Sequence, residues 1–168
     1  IQKGNNLISK NIFHNGYLEQ ATGEPNTEHV FDEMYSDFIE VEGNKTYTFA
    51  ILKPTTIYSQ WYGIVEYNSD KEMCNFINRE TYEETYENKF ITFTTTANTN
   101  FLRISARNLI NATSVALEEG SSIIPKKIHT KNDNGEYEEF YNEEEREVYS
   151  TSEQRIGTWL GKPLYRKV

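Results

Sequence analysis

The residues with the best chemistry gather in one stretch, 57–77, IYSQWYGIVEYNSDKEMCNFI. Read with the two-residue period of a strand, 57–67 puts Ser59, Trp61, Gly63, Val65 and Tyr67 on one face and Tyr58, Gln60, Tyr62, Ile64 and Glu66 on the other. Neither face is wholly apolar, so such a strand can pack on a core while offering flat rings and hydrogen-bonding groups to a ligand. A second run, 101–107, alternates cleanly. It sets Leu102, Ile104 and Ala106 on one face and leaves Phe101, Arg103, Ser105 and Arg107 on a face expected to be solvated or ligand-facing. The candidate binding set is Tyr58, Gln60, Trp61, Tyr62, Arg103 and Arg107. It combines rings that stack on the apolar face of a sugar with groups that bond its hydroxyls or anionic substituents. Trp61 and Tyr62 alternate, so one of them belongs to the core: Tyr62 is the expected platform if the Arg103 face is its neighbour, Trp61 if the strand lies at a rim.

The alternatives to binding are weaker. Hydrolysis of a glycosidic bond needs two carboxylates across a cleft, and the acids of this chain crowd into turns and the tail. His14, His29 and His129 are isolated, with no Ser or Cys elbow and no H-x-x-x-H spacing, so no catalytic residue is assigned. The single cysteine, Cys74, excludes an internal disulfide and a multi-cysteine metal site, and its neighbours read as a strand interior that buries a thiol.

The elements that must hold these residues are strands. Aromatics are 14% of the 168 residues, 12 of them Tyr, while Met is scarce, which leans local preference towards β structure. Strands are expected from Asn6 to Phe13, over 36–41 and 46–51, in the central stretch, and over 90–95, 101–107 and 113–118, separated by turns such as Asn15-Gly16 and Asn68-Ser69-Asp70. Residues 79–89 are expected to be loop. A net charge of −9 with no cluster of Lys and Arg argues against nucleic acid and anionic lipid as partners, and no apolar run is of membrane-spanning length. After Gly120 the composition changes. Residues 131–149 hold eight acids against Lys131 and Arg146, the mark of a solvated linker or hairpin. The expected division is a β domain over 1–120, an acidic linker over 121–149, and the beginning of a second β or oligomerisation unit over 150–168, whose Trp159, Leu164 and Tyr165 are expected to be partly exposed or to pack on another chain.

From Asn6 to Gly120, about two thirds of the chain, the order of D-F-I-x-V, G-N-K-T-Y-T, Y-x-x-x-K-E, F-T-T, F-L-R-I-S and L-E-E-G resembles carbohydrate-binding modules embedded in tail and baseplate proteins of phages infecting Gram-positive bacteria. The last segment, VYSTSEQRIGTWLGKPLYRKV, is similar to the segment that opens the final domain of many such phage proteins. The resemblance implies a galactose-binding-like jelly-roll β-sandwich. It further implies non-catalytic binding of host cell-envelope polysaccharide, a place in the virion, other tail proteins as partners and a homo-oligomeric parent. Related modules of cellular enzymes often carry, after the Phe of the first strand, an acid that helps hold a structural calcium. Here that position is His14, so no cofactor is expected there, and Asp32, Glu33 and Asp37 are the alternative oxygen ligands, without an EF-type loop. The competing expectation is a structural spacer of a tail protein that binds no glycan and uses its aromatics only for core and interfaces.

Overall fold

The structure, a computed structural model, describes residues 5–28, 32–53, 62–79, 88–109, 112–123 and 127–141. Among the described residues thirteen strands run in chain order: β1 (Phe13–Asn15), β2 (Tyr17–Leu18), β3 (Pro25–Asn26), β4 (Met34–Ser36), β5 (Ile39–Glu40), β6 (Thr46–Leu52), β7 (Tyr62–Tyr67), β8 (Met73–Arg79), β9 (Lys89–Thr94), β10 (Phe101–Ala106), β11 (Ser114–Glu119), β12 (Lys127–Lys131) and β13 (Tyr137–Tyr141). A 3-10 turn at Arg107–Leu109 follows β10. All pairings are antiparallel. One sheet has the order β1-β4-β10-β7-β8 with β5 also paired to β10; the other has the order β13-β12-β11-β6-β9. The chain crosses between them from β5 to β6, β6 to β7, β8 to β9, β9 to β10 and β10 to β11, which makes the fold the all-β jelly-roll sandwich expected from the sequence.

The core lies between the two sheets and follows the alternation of the strands. Tyr47, Phe49 and Ile51 of β6 meet Ile91 and Phe93 of β9 and Val115 and Leu117 of β11, and Ile64, Leu102, Ile104 and Ala106 supply the facing layer. The N-terminal segment closes one edge without forming the strand expected over 6–13. The Asn6 side chain accepts from Leu117 N at 2.9 Å and donates to Val115 O at 3.4 Å, while Leu7 N bonds Leu117 O at 2.8 Å, so these residues take up the part of β11 that β12 leaves unpaired.

Four expectations are corrected. The strand expected over 36–41 is broken at Asp37-Phe38 into the ends of β4 and β5, both still paired to β10, because Ser36 turns its hydroxyl onto Ile104 N at 2.9 Å and Asp37 N bonds Ile12 O. Cys74 is exposed rather than buried, since β8 is an edge strand. Ser105 is buried rather than solvated, because the small β2–β3 hairpin covers that face of β10 and Leu18 N bonds its hydroxyl at 3.2 Å. The acidic linker assigned to 121–149 is, over 127–141, a hairpin of the sandwich: β12 pairs β11 through Ser114↔Thr130 and Val115↔His129, and Tyr137 is buried in the main core with its hydroxyl on Leu109 O. The acids of β13 sit at exposed positions, so their charge costs no desolvation while one ring anchors the strand. The rest of the acidic run and the whole of 150–168, with Trp159, Leu164 and Tyr165, lie outside the described residues.

Candidate functional site

The sequence-derived set divides between residues with a described position and residues without one. Tyr58, Gln60 and Trp61 lie outside the described residues. Tyr62 opens β7 and pairs with Ala106, whereas Arg103 pairs with Val65 and Ser105 with Gly63. The Arg103 face of β10 is therefore continued across β7 by the odd-numbered residues, and Tyr62 is not its cross-strand neighbour.

That face is a dense aromatic and cationic layer. The Arg103 guanidinium lies 4.2 Å from the Phe38 ring centroid and 5.4 Å from that of Tyr35, and its Nε donates to Ser36 O at 3.1 Å. Lys71 Nζ lies 4.9 Å from Phe38 and 5.3 Å from Phe101. Phe38 in turn meets Tyr67 edge-on at 4.9 Å, and Tyr67 donates its hydroxyl to Gly23 O. Burial pushes the Tyr67 phenol up to about 12, against the pull of the Arg103 guanidinium. Here the rings are already stacked by the protein's own cations, and Arg103 binds the β4–β5 junction to β10. Arg107, in the 3-10 turn, has a buried Nε with no hydrogen-bond partner. Glu66, grouped by the alternation with the hydrogen-bonding residues of the central stretch, is fully buried. Its carboxylate accepts from Thr96 N (2.7 Å), Thr96 Oγ1 (3.1 Å), Thr99 Oγ1 (2.5 Å) and Asn75 Nδ2 (2.8 Å), which fastens the turn between β9 and β10.

The other sheet carries the exposed rings. Along β6, β9 and β11 the residues alternating with the core ones are Thr48 and Ala50, Phe90 and Thr92, and Ala116 and Glu118. In register, Phe90 pairs with Ala50 and Ala50 with Ala116; the β11–β12 pairing stops at Val115↔His129, and beyond it Ile128 of β12 pairs with Phe140. Phe90 (52% exposed) and Phe140 (44% exposed) thus mark the two ends of an aromatic row on the outer face of this sheet, interrupted between β11 and β12 where Asn6 and Leu7 bond β11. Four strand spacings separate them, about 19 Å. Ala50 and Ala116 between them are 1% exposed, so the middle of this face is covered and the two rings are what it offers to solvent. The flanking rows are hydroxyl-rich: Thr48 and Thr92 share a 3.0 Å hydrogen bond, Thr46 and Thr94 one of 2.9 Å, and a pocket of about 430 Å³ beside Phe140 is lined by Ser114, Thr130, Thr113 and Asn88. Residue type alone does not distinguish Phe90 and Phe140 from core rings, because the distinction is which face of the strand they occupy. The available signal was parity: Ile91 and Phe93 claim the core side of β9, which turns Phe90 outward.

At one end of the sandwich a second cleft of about 430 Å³ is bordered by Glu40, Glu42, Tyr47, Asn100, Phe101 and Glu119. Lys45 spans Glu42 (3.4 Å) and Glu119 (3.3 Å), and these two carboxylates hold its ammonium pKa above the ordinary value. Among the described residues no group of three or more His, Cys, Asp or Glu converges as a metal site; Asp37 bonds His14 at 2.7 Å and Glu33 is buried.

No protein-family model and no curated protein matches the chain. Among solved structures it is similar to the CBM22-1–GH10 modules of endo-1,4-beta-D-xylanase 10B from Clostridium thermocellum, complexed with xylohexaose, at 12% identity and a TM-score of 0.33, over 68% of this chain. The chain spans 25% of that structure's length.

Proposed function

We propose that this chain is a non-catalytic polysaccharide-binding module and that its ligand lies on the outer face of the five-stranded sheet. The observation that carries the reading is the pair of half-exposed rings, Phe90 and Phe140, on one row of that face with hydroxyls on either side. Flat apolar rings cover the C–H face of a sugar, and threonine and serine hydroxyls exchange hydrogen bonds with its hydroxyl groups. The order of motifs between Asn6 and Gly120, and the closing segment up to Val168, support the finer reading of a module in a phage tail or baseplate protein. In that reading the ligand is a cell-envelope polysaccharide of a Gram-positive host, the partners are other tail proteins, the parent is a homo-oligomer, and the site of action is the virion.

The test is the affinity of the 168-residue chain for purified Gram-positive cell-wall polysaccharide, beside Phe90→Ala, Phe140→Ala, Arg103→Ala and Trp61→Ala, each checked for folding. Removing a half-exposed stacking ring is expected to weaken binding about tenfold, roughly 1.4 kcal/mol. If Phe90→Ala and Phe140→Ala bind as the parent does while Trp61→Ala or Arg103→Ala fails, the ligand belongs to the residues first expected from the sequence. A folded parent that retains no polysaccharide leaves the spacer reading.

A further inference from the structure

The β12–β13 hairpin carries Phe140, one end of the aromatic row, and a histidine is buried under it. His129 is 2% exposed, pairs across β12–β11 with Val115 and across β12–β13 with Glu139, and among the described residues neither of its ring nitrogens has a hydrogen bond of good geometry. The charged groups around it are Lys127 on its own strand, Glu139 on β13 and Lys10 from the N-terminal segment; Lys127 and Glu139 are bound to each other at 3.1 Å. On the core side it meets the backbone of Ile8, and β11 offers only the apolar Val115. A neutral imidazole is tolerated in such a place. An imidazolium there has no carboxylate of its own and has lost its water.

We propose that His129 is an acid-sensitive latch on the ligand surface: protonation of its buried ring loosens the β12–β13 hairpin from β11 and withdraws the Phe140 half of the aromatic row. This rests on the polysaccharide-binding reading only for its consequence; the latch itself is a property of the fold. The weak seam is the β12–β11 ladder, which runs through Ser114 and Val115 with Lys131 N on Thr113 O beside it, whereas β11 pairs with β6 along its whole length; Tyr137 in the core is the hold that opening must overcome. Burial lowers the folded pKa of His129 below the ordinary 6.5, with Glu139 and the Ile8 backbone working the other way. The sign follows. Above pH 6.5 the ring is neutral in closed and open states and the closed hairpin is favoured; as pH falls below 6.5 opening takes up a proton, so its equilibrium constant rises until the folded pKa is passed.

The experiment is NMR on the whole chain, reading the His129 ring titration and the amide protection factors of β12 and β13 against those of β7 and β10, at pH 7.5, 6.5 and 5.5. Protection of β12 and β13 is expected to fall between pH 6.5 and 5.5, by about fivefold at most, with β7 and β10 unchanged. The His129→Leu variant should lose that dependence and His14→Gln should keep it. Should His129→Leu not fold, the wild-type titration decides alone. A His129 ring that titrates at its ordinary value in the folded protein, or hairpin protection that does not change, overturns the latch. Polysaccharide affinity measured at the same pH values should fall in parallel with hairpin protection. Absence of binding at every pH would sink the ligand reading and leave the protection result standing.

Discussion

At the scale of single residues, the polar groups of the central strand divide by whether the fold has already used them. Glu66 takes four donors and has no surface left for a ligand. Glu66→Gln keeps the volume but brings two N–H donors to a site furnished chiefly with donors, and hydrogen bonds to a charged group are the stronger kind. The expected loss is about 3 kcal/mol of stability with polysaccharide binding unchanged, read from the urea midpoint of the variant beside its affinity. An unchanged midpoint would mean that the carboxylate is not what fastens Thr96 and Thr99. Arg103 is used in the same sense, its guanidinium stacked on Phe38 and its Nε on Ser36 O. Phe90 and Phe140 keep free ring surface because they sit on the strand positions that the core does not claim.

At the scale of elements, the decisive hairpin is β12–β13. Its turn repeats the turn between β7 and β8 atom for atom. Asn68 Oδ1 accepts from Asp70 N (2.9 Å) and Glu72 N (3.0 Å), and Asn132 Oδ1 accepts from Asn134 N (2.9 Å) and Glu136 N (3.0 Å). The fourth residue is left-handed in both, Lys71 at φ 65° and Gly135 at φ 83°. The second copy was legible as Asn132-Asp133-Asn134-Gly135, but the run of acids after it has the composition of a linker, and charge on an exposed strand says nothing against pairing. Because Tyr137 belongs to the main core, Tyr137→Ala should cost about 3–4 kcal/mol, and a chain ended at residue 120 should lose cooperative unfolding. Thermal melts of both, with Glu138→Ala as the exposed control, check this. A full-stability melt for the chain ended at 120 would restore the domain boundary expected there.

At the scale of the whole molecule, the aromatic row is shallow and its ends are only half-covered rings, so one copy should hold a sugar polymer weakly, its hydroxyls being well satisfied by water already. Adhesion would then come from valency, where linked copies gain 10²–10⁴ in avidity without a new contact. A tetravalent display of the chain should stay on Gram-positive cells through washing that removes the single chain, measured by fluorescence retained per cell. Equal retention of the two forms would assign the affinity to one deep site instead. The net charge of −9 keeps such an array from binding polyanions indiscriminately.

The sequence by itself determined the strand content, the parity of β6 and β10 and the Asn68 turn, because alternation and turn chemistry are local properties that a single strand or turn expresses alone, while the sandwich class came from the order of its motifs. Tertiary structure decided everything that depends on which strand lies beside which. The β2–β3 hairpin buries Ser105 and Leu18 over the Arg103 face, β8 becomes an edge and exposes Cys74, and β13 becomes a strand because β12 is there to pair with it. A strand pattern assigns a side chain to one of two faces, but only the neighbours that arrive from elsewhere in the chain determine whether that face meets core, a covering hairpin or solvent. Phe49 and Phe90 are therefore the same residue type in strands of the same sheet, one fully buried and one half exposed.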